Sequence, residues 1–123
     1  YWKSKDFYKN SFMKGWSPPH PSFFVKKKIY KNFGNYKINL GNSADFELMF
    51  RLLEKNNIKN LYINKIFVAM RSGGSSNKNL LTIIRQNFII LKILNIKYNP
   101  IKLIFFFYFK FIERLFQFIK KIN

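Results

Sequence analysis

The sequence predicts a mixed α+β chain, or part of an α/β fold, with short strands, one central helix and long amphipathic helices at the C-terminal end. Three observations predict it. Short apolar runs such as Ser22–Val25 are too brief for helices and are bounded by turn-forming residues. The segment from Ala44 repeats its apolar residues at helical spacing, and beyond Lys78 two longer segments do the same.

Each element has its own reason. Residues 1–14 are polar and aromatic without period and read as a connection. "SFFV" reads as a short buried strand, and "KKKIYKNF" after it as a helix of one or two turns stopped by Gly34. Asn35–Ser43 is a loop in which Asn42 or Ser43 offers an N-cap to the helix "ADFELMFRLLEKNN". Asn60–Tyr62 and Ile66–Met70 read as strands, and "RSGGSSN", Arg71–Asn77, as a flexible loop. In "KNLLTIIRQNFIILKILN", Lys78, Arg85 and Lys92 recur on one stripe of a helix that is otherwise apolar and mostly buried. A second helix begins after Pro100. Its polar positions Lys110, Glu113, Arg114, Gln117, Lys120 and Lys121 form a narrow face on an aromatic cylinder.

Composition bounds the class. A chain of 123 residues with 48% apolar content fits one domain with a core. It does not begin with Met and opens without a recognisable signal sequence, which predicts a piece of a longer polypeptide. The absence of cysteine excludes a disulfide scaffold and a thiolate metal site. A net charge of +18 points to nucleic acid or an anionic membrane surface. Abundant Lys, Asn, Ile and Phe, the residues of A/T-only codons, give the same charge a second origin that involves no polyanion. The lysines are scattered and no recognition motif is present, which argues against nucleic acid as the partner. The longest charge-free run of the last helix, Leu103–Phe109, is too short for a bilayer span of about 20 residues. A basic amphipathic helix rich in Phe fits the membrane interface or the apolar surface of a partner or, equally, an ordinary core position.

The five acids carry the most information. At about 100° per residue, Glu47, Arg51, Glu54 and Lys55 gather on one helix side, predicted to be solvated, with Glu47 and Arg51 an i,i+4 pair. Leu48, Met49, Leu52 and Leu53 gather on the other, and Asp45 projects among them. A carboxylate there needs hydrogen bonds, a partner or a polar cleft. Two readings stay open. Asp45 is either a first-turn residue bonding free backbone N–H groups or a general base at a cleft floor. His20, fenced by Pro18, Pro19 and Pro21 on stiff, non-helical backbone, is a loop residue capping a carbonyl or a ligand contact. With one His and no Cys, no zinc site can be completed from these residues. The loop Arg71–Asn77 is a linker by composition, or an anion clamp made of backbone N–H groups and the Arg71 guanidinium.

Taken in order and spacing, "MKGWSPPHPSFFVKKKIYKNFG", "SADFELMFRLLEK" and "IFVAMRSGGSSN" resemble the C-terminal half of bacterial family 2 glycosyltransferases of the GT-A fold. The resemblance covers roughly Met13 to Asn95. It implies a GT-A acceptor-side part over residues 1–77, a helical extension over 78–123, and inverting transfer of a sugar from a nucleotide-sugar donor to the hydroxyl of a glycan or lipid-linked acceptor. In that family the residue at the position of Asp45 is the catalytic base. Trp16 and His20 would line the acceptor side, and the loop containing Arg71, Gly73, Gly74 and Ser76 would close over the substrates. The family implies a peripheral location on the cytoplasmic face of the bacterial membrane, and a divalent metal, Mg or Mn, held by an Asp-x-Asp motif that this sequence lacks. The resemblance therefore predicts an enzyme fragment inactive by itself. The competing classes are a basic nucleic-acid-binding protein and a non-catalytic membrane-associated chain.

Overall fold

The computed structural model describes residues 4–69, 80–96 and 98–119. They form four α-helices: α1 (Lys27–Phe33), α2 (Ala44–Phe50), α3 (Leu80–Ile93) and α4 (Pro100–Ile119). Short 3-10 turns lie at Phe12–Lys14, His20–Ser22 and Ile38–Ser43, and α2 runs on through a π-helical turn, Arg51–Lys55.

Among the described residues there is no β-strand, which overturns the expected α+β class and the GT-A sheet it implied. The physical reason is pairing. A strand exists only where a neighbour takes its backbone N–H and C=O groups. The predicted strand at Ser22–Val25 is half consumed by the turn His20–Ser22, whose C-cap N–H, that of Phe23, returns to His20 C=O. Asn60–Tyr62 and Ile66–Ala69 run without a ladder, and Phe24, Leu61, Ile66 and Phe67 stand exposed. Alternation and β-branching gave these stretches a strand's composition, but no second strand lies beside them among the described residues.

The helices follow their local signals. α1 ends where Gly34 takes a left-handed φ of 85° and its N–H bonds Tyr30 C=O at 2.8 Å. Asn95, at φ 57°, closes α3 while Ile96 N–H reaches back to Leu91 C=O. α4 starts with Pro100 at its first position and Asn99 as N-cap, whose Oδ1 accepts the Lys102 N–H at 3.0 Å.

The core forms where the first 3-10 turn, α2, the end of α3 and α4 meet. Phe12 is fully buried and makes edge-on contacts with Trp16, Phe46 and Phe50 at centroid distances of 5.8, 5.5 and 5.5 Å. Leu91, Leu94, Ile96 and Phe106 belong to the same cluster, so the segments after residue 78 pack into the core that the earlier ones build. Gly15 lets α4 approach. A Cβ there would lie 2.8 Å from Lys110 Cα, and its φ of 71° is left-handed.

The polarity of α2 differs from the wheel. Leu48, Met49, Leu52 and Leu53 are buried as expected, but Glu47 and Glu54 are buried too, at 7% and 8% exposure. The loop and the N-terminal segment wrap the side predicted to be solvated and bring compensating partners. Arg51 Nε and Nη2 donate to Glu47, Lys37 Nζ lies 2.8 Å from it, and Glu54 Oε1 accepts the Asn10 N–H at 2.8 Å.

Candidate functional site

Two segments 25 residues apart in sequence converge on one cavity, and the local backbone explains how. Pro19 holds extended geometry (φ −66°, ψ 116°) and delivers His20 at the head of a 3-10 turn closed by the Ser22 N–H on Pro19 C=O. Asp45 sits in the first turn of α2, just after a kink at Gly41 (φ 53°) that turns the chain into the helix. His20 Nδ1 comes within 3.2 Å of Asp45 Oδ2, with the carboxylate side chain 31% exposed. Both line an open cavity of about 360 Å³, whose wall also includes Pro18, Pro19 and Pro21 and, from α3, Gln86 and Ile90.

The carboxylate is engaged on both oxygens without being saturated. Oδ1 accepts the Phe46 N–H at 2.7 Å and Oδ2 faces the imidazole. An ionised carboxylate offers about four lone-pair sites. Capacity remains for a hydroxyl donor arriving from the cavity. Asp45 thus bonds a first-turn backbone N–H and also borders a cleft. Nearby, burial raises the pKa of the Tyr36 phenol, aided by Tyr30 and by the negative charge of Asp45, so Tyr36 keeps its proton.

The other residues singled out from sequence fall differently. Trp16 lies in the hydrophobic core, 6% exposed, packed against Phe12 and Phe7 rather than against the cavity. Its indole carries core packing, which explains an aromatic residue beside the turn. Arg71, Gly73, Gly74 and Ser76 lie outside the described residues. Ser43 occupies the N-cap position of α2 but makes no capping bond with its side chain, and its hydroxyl is buried without a partner among the described residues. Gln86 was passed over because it sits in the apolar run of α3. An amide interrupting such a run was the available signal. Among the described residues no three of His, Asp and Glu converge as metal ligands, so these residues do not form the set a divalent metal takes.

Comparison with protein-family models, curated proteins and solved structures gives no match to this chain.

Proposed function

We propose that the chain supplies the acceptor-side catalytic surface of a sugar-transferring enzyme, with Asp45 as general base. The observation that carries this reading is the 3.2 Å approach of His20 Nδ1 to Asp45 Oδ2 on the wall of an open cavity. The resemblance singles out these two residues, and nothing in their sequence separation requires them to meet. Asp45 takes the proton of an acceptor hydroxyl as that oxygen attacks the anomeric carbon of the donor; the bond from that carbon to the nucleotide diphosphate breaks and the diphosphate leaves with its electron pair. His20 is a positioning residue that holds the Asp45 carboxylate towards the cavity. The donor site and a divalent metal belong to the family's chemistry and find no ligand set among the described residues. Transfer is therefore expected from a polypeptide that carries a donor site as well, and not from residues 1–123 alone.

The same reading puts the protein on the cytoplasmic face of a bacterial membrane, working on a glycan or lipid-linked acceptor. No described helix is long and apolar enough to cross a bilayer. Support for surface attachment comes from α4, which turns Ile101, Ile104, Phe105, Tyr108, Phe111 and Leu115 outward. Two of its polar side chains are engaged by other segments: Lys110 Nζ donates to Asn87 Oδ1 at 2.6 Å and Glu113 pairs with Lys5.

The test is sugar transfer from labelled nucleotide-sugars by the native polypeptide that carries this chain. Asp45→Asn should lower turnover by about 10²–10⁴-fold, the range of a general base. His20→Ala should lower it less and alter the pH profile. Full turnover by Asp45→Asn refutes the base assignment; an unchanged profile in His20→Ala removes the histidine from the mechanism.

A further inference from the structure

The non-helical segment after α2 is tied down at its start and uncovered further on. Tyr62 Oη donates to Ser4 C=O at 2.8 Å and Asn60 Nδ2 to Asp6 Oδ1 at 3.2 Å, which fastens residues 60–62 to the N-terminal segment. Lys65 N–H then meets Ile63 C=O in a tight turn. Past that turn, the main chain of residues 66–69 makes no hydrogen bond among the described residues. Its donors and acceptors are open to a partner.

The side chains beside this open backbone are apolar. Ile66 is 75% exposed, and Phe67 and Val68 follow it at the surface. Phe24, 76% exposed, meets Phe67 edge to face at a centroid distance of 6.0 Å, so two separate segments build one patch. β-Branched and aromatic residues in unbroken succession are the composition of a strand covered on both faces. The surroundings are cationic. Lys26, Lys27 and Lys28 follow Phe24, Lys59 and Lys65 precede Ile66, and all five are exposed. None pairs with an acid among the described residues.

These features select one kind of occupant. Lipid would accept the aromatic rings and the lysines, but an open, unpaired backbone cannot enter hydrocarbon. A second copy would bring the same lysines and another charge of +18 against this one. A polypeptide strand answers the free N–H and C=O groups, and acidic side chains on it answer the lysines.

We infer that residues 66–69, flanked by Phe24, are a docking edge for an extended, acidic segment of a partner polypeptide, which adds to them as a β-strand. Main-chain hydrogen bonds supply the attachment, Phe24, Ile66 and Phe67 supply apolar contact, and the five lysines select against cationic sequences. The inference stands apart from the sugar-transfer reading and needs neither Asp45 nor His20.

The test uses the isotope-labelled chain and three short synthetic peptides: one alternating valine with glutamate, one alternating valine with lysine, and the glutamate peptide with a central proline. Hydrogen exchange and resonance shifts of the amides of residues 66–69 report binding. The glutamate peptide should bind saturably and protect alternate amides, those of Ile66 and Val68 or those of Phe67 and Ala69, because successive N–H groups of a strand point to opposite edges. The proline and lysine peptides should bind more weakly by about 10-fold or more. Phe67→Pro or Val68→Pro, whichever removes a protected N–H, should weaken binding more than the other. Neither N–H is bonded in the free chain, so both variants should keep the parent's Tm. Equal binding of the lysine peptide, indifference to the central proline, or protection that is uniform or absent overturns the inference. Protection that grows with chain concentration and no peptide gives the edge to a second copy, and protection by phosphatidylglycerol vesicles alone gives it to lipid. Either of these overturns it as well.

Discussion

Arg51 holds the platform on which Asp45 stands, and removing it has a calculable effect. Its guanidinium donates to the C=O groups of Phe33, Gly34 and Asn35 at the end of α1, and through Nε and Nη2 to the Glu47 carboxylate at 3.0 and 3.1 Å. The side chain is 14% exposed and that of Glu47 is 9% exposed, so this pair is largely shielded from solvent. Arg51→Met deletes the fork. Breaking a buried pair costs about 3–5 kcal/mol, and two features reduce that here. Lys37 still neutralises Glu47 from 2.8 Å, and the Gly34 and Asn35 carbonyls are exposed enough to turn to water. A loss of about 2–4 kcal/mol remains, from the Phe33 carbonyl and the half-paired carboxylate. Arg51→Lys should recover less than half, because an ammonium cannot serve both directions of the fork. Urea unfolding followed by tryptophan fluorescence measures this through the midpoint at constant slope. A loss below about 1 kcal/mol, the range of an exposed ion pair, would refute the reasoning. So would strict additivity of Arg51→Met and Glu47→Gln, since contacting residues must couple.

Other outcomes follow from the same structure. Burial pushes the Glu47 pKa up, but hydrogen bonds and charge from Arg51 and Lys37 outweigh it and hold the carboxyl below its ordinary value. Its contribution to stability is thus fully present above the ordinary carboxylate pKa and is lost as pH falls through the lowered folded value; Glu47→Gln should flatten the acid limb of a stability-versus-pH series. Gly15→Ala should cost about 2–4 kcal/mol, because it combines a left-handed backbone with a new Cβ against the α4 backbone; Tm close to the parent's would show that α4 does not sit this close. For the outward face of α4, Phe105→Glu with Phe111→Glu should abolish co-flotation with phosphatidylglycerol vesicles while leaving the far-UV spectrum unchanged. Undiminished flotation would remove α4 from membrane attachment.

The helices were legible because their signals are local. Gly34 stops α1 by its own freedom at positive φ, and Pro100 opens α4 because its missing N–H costs nothing there. The apolar side of α2 was legible from spacing alone. Its other side was not, because the partners that bury Glu47 and Glu54, the α1–α2 loop and the segment near Lys9, lie up to 45 residues away and leave no periodic trace. The strands failed for a related reason: composition marks a segment as able to pair, and only a neighbour makes it a strand.

For the site, the residues settled which groups were unusual: one histidine set among prolines, and one carboxylate on the apolar side of its helix. Their 3.2 Å approach and the withdrawal of Trp16 into the core were decided by tertiary structure. Backbone stiffness and helical period act over a few residues and can be read in line. A cavity is the space left between elements, and its walls are set by how α2, α3 and the proline-rich turn pack against the shared core.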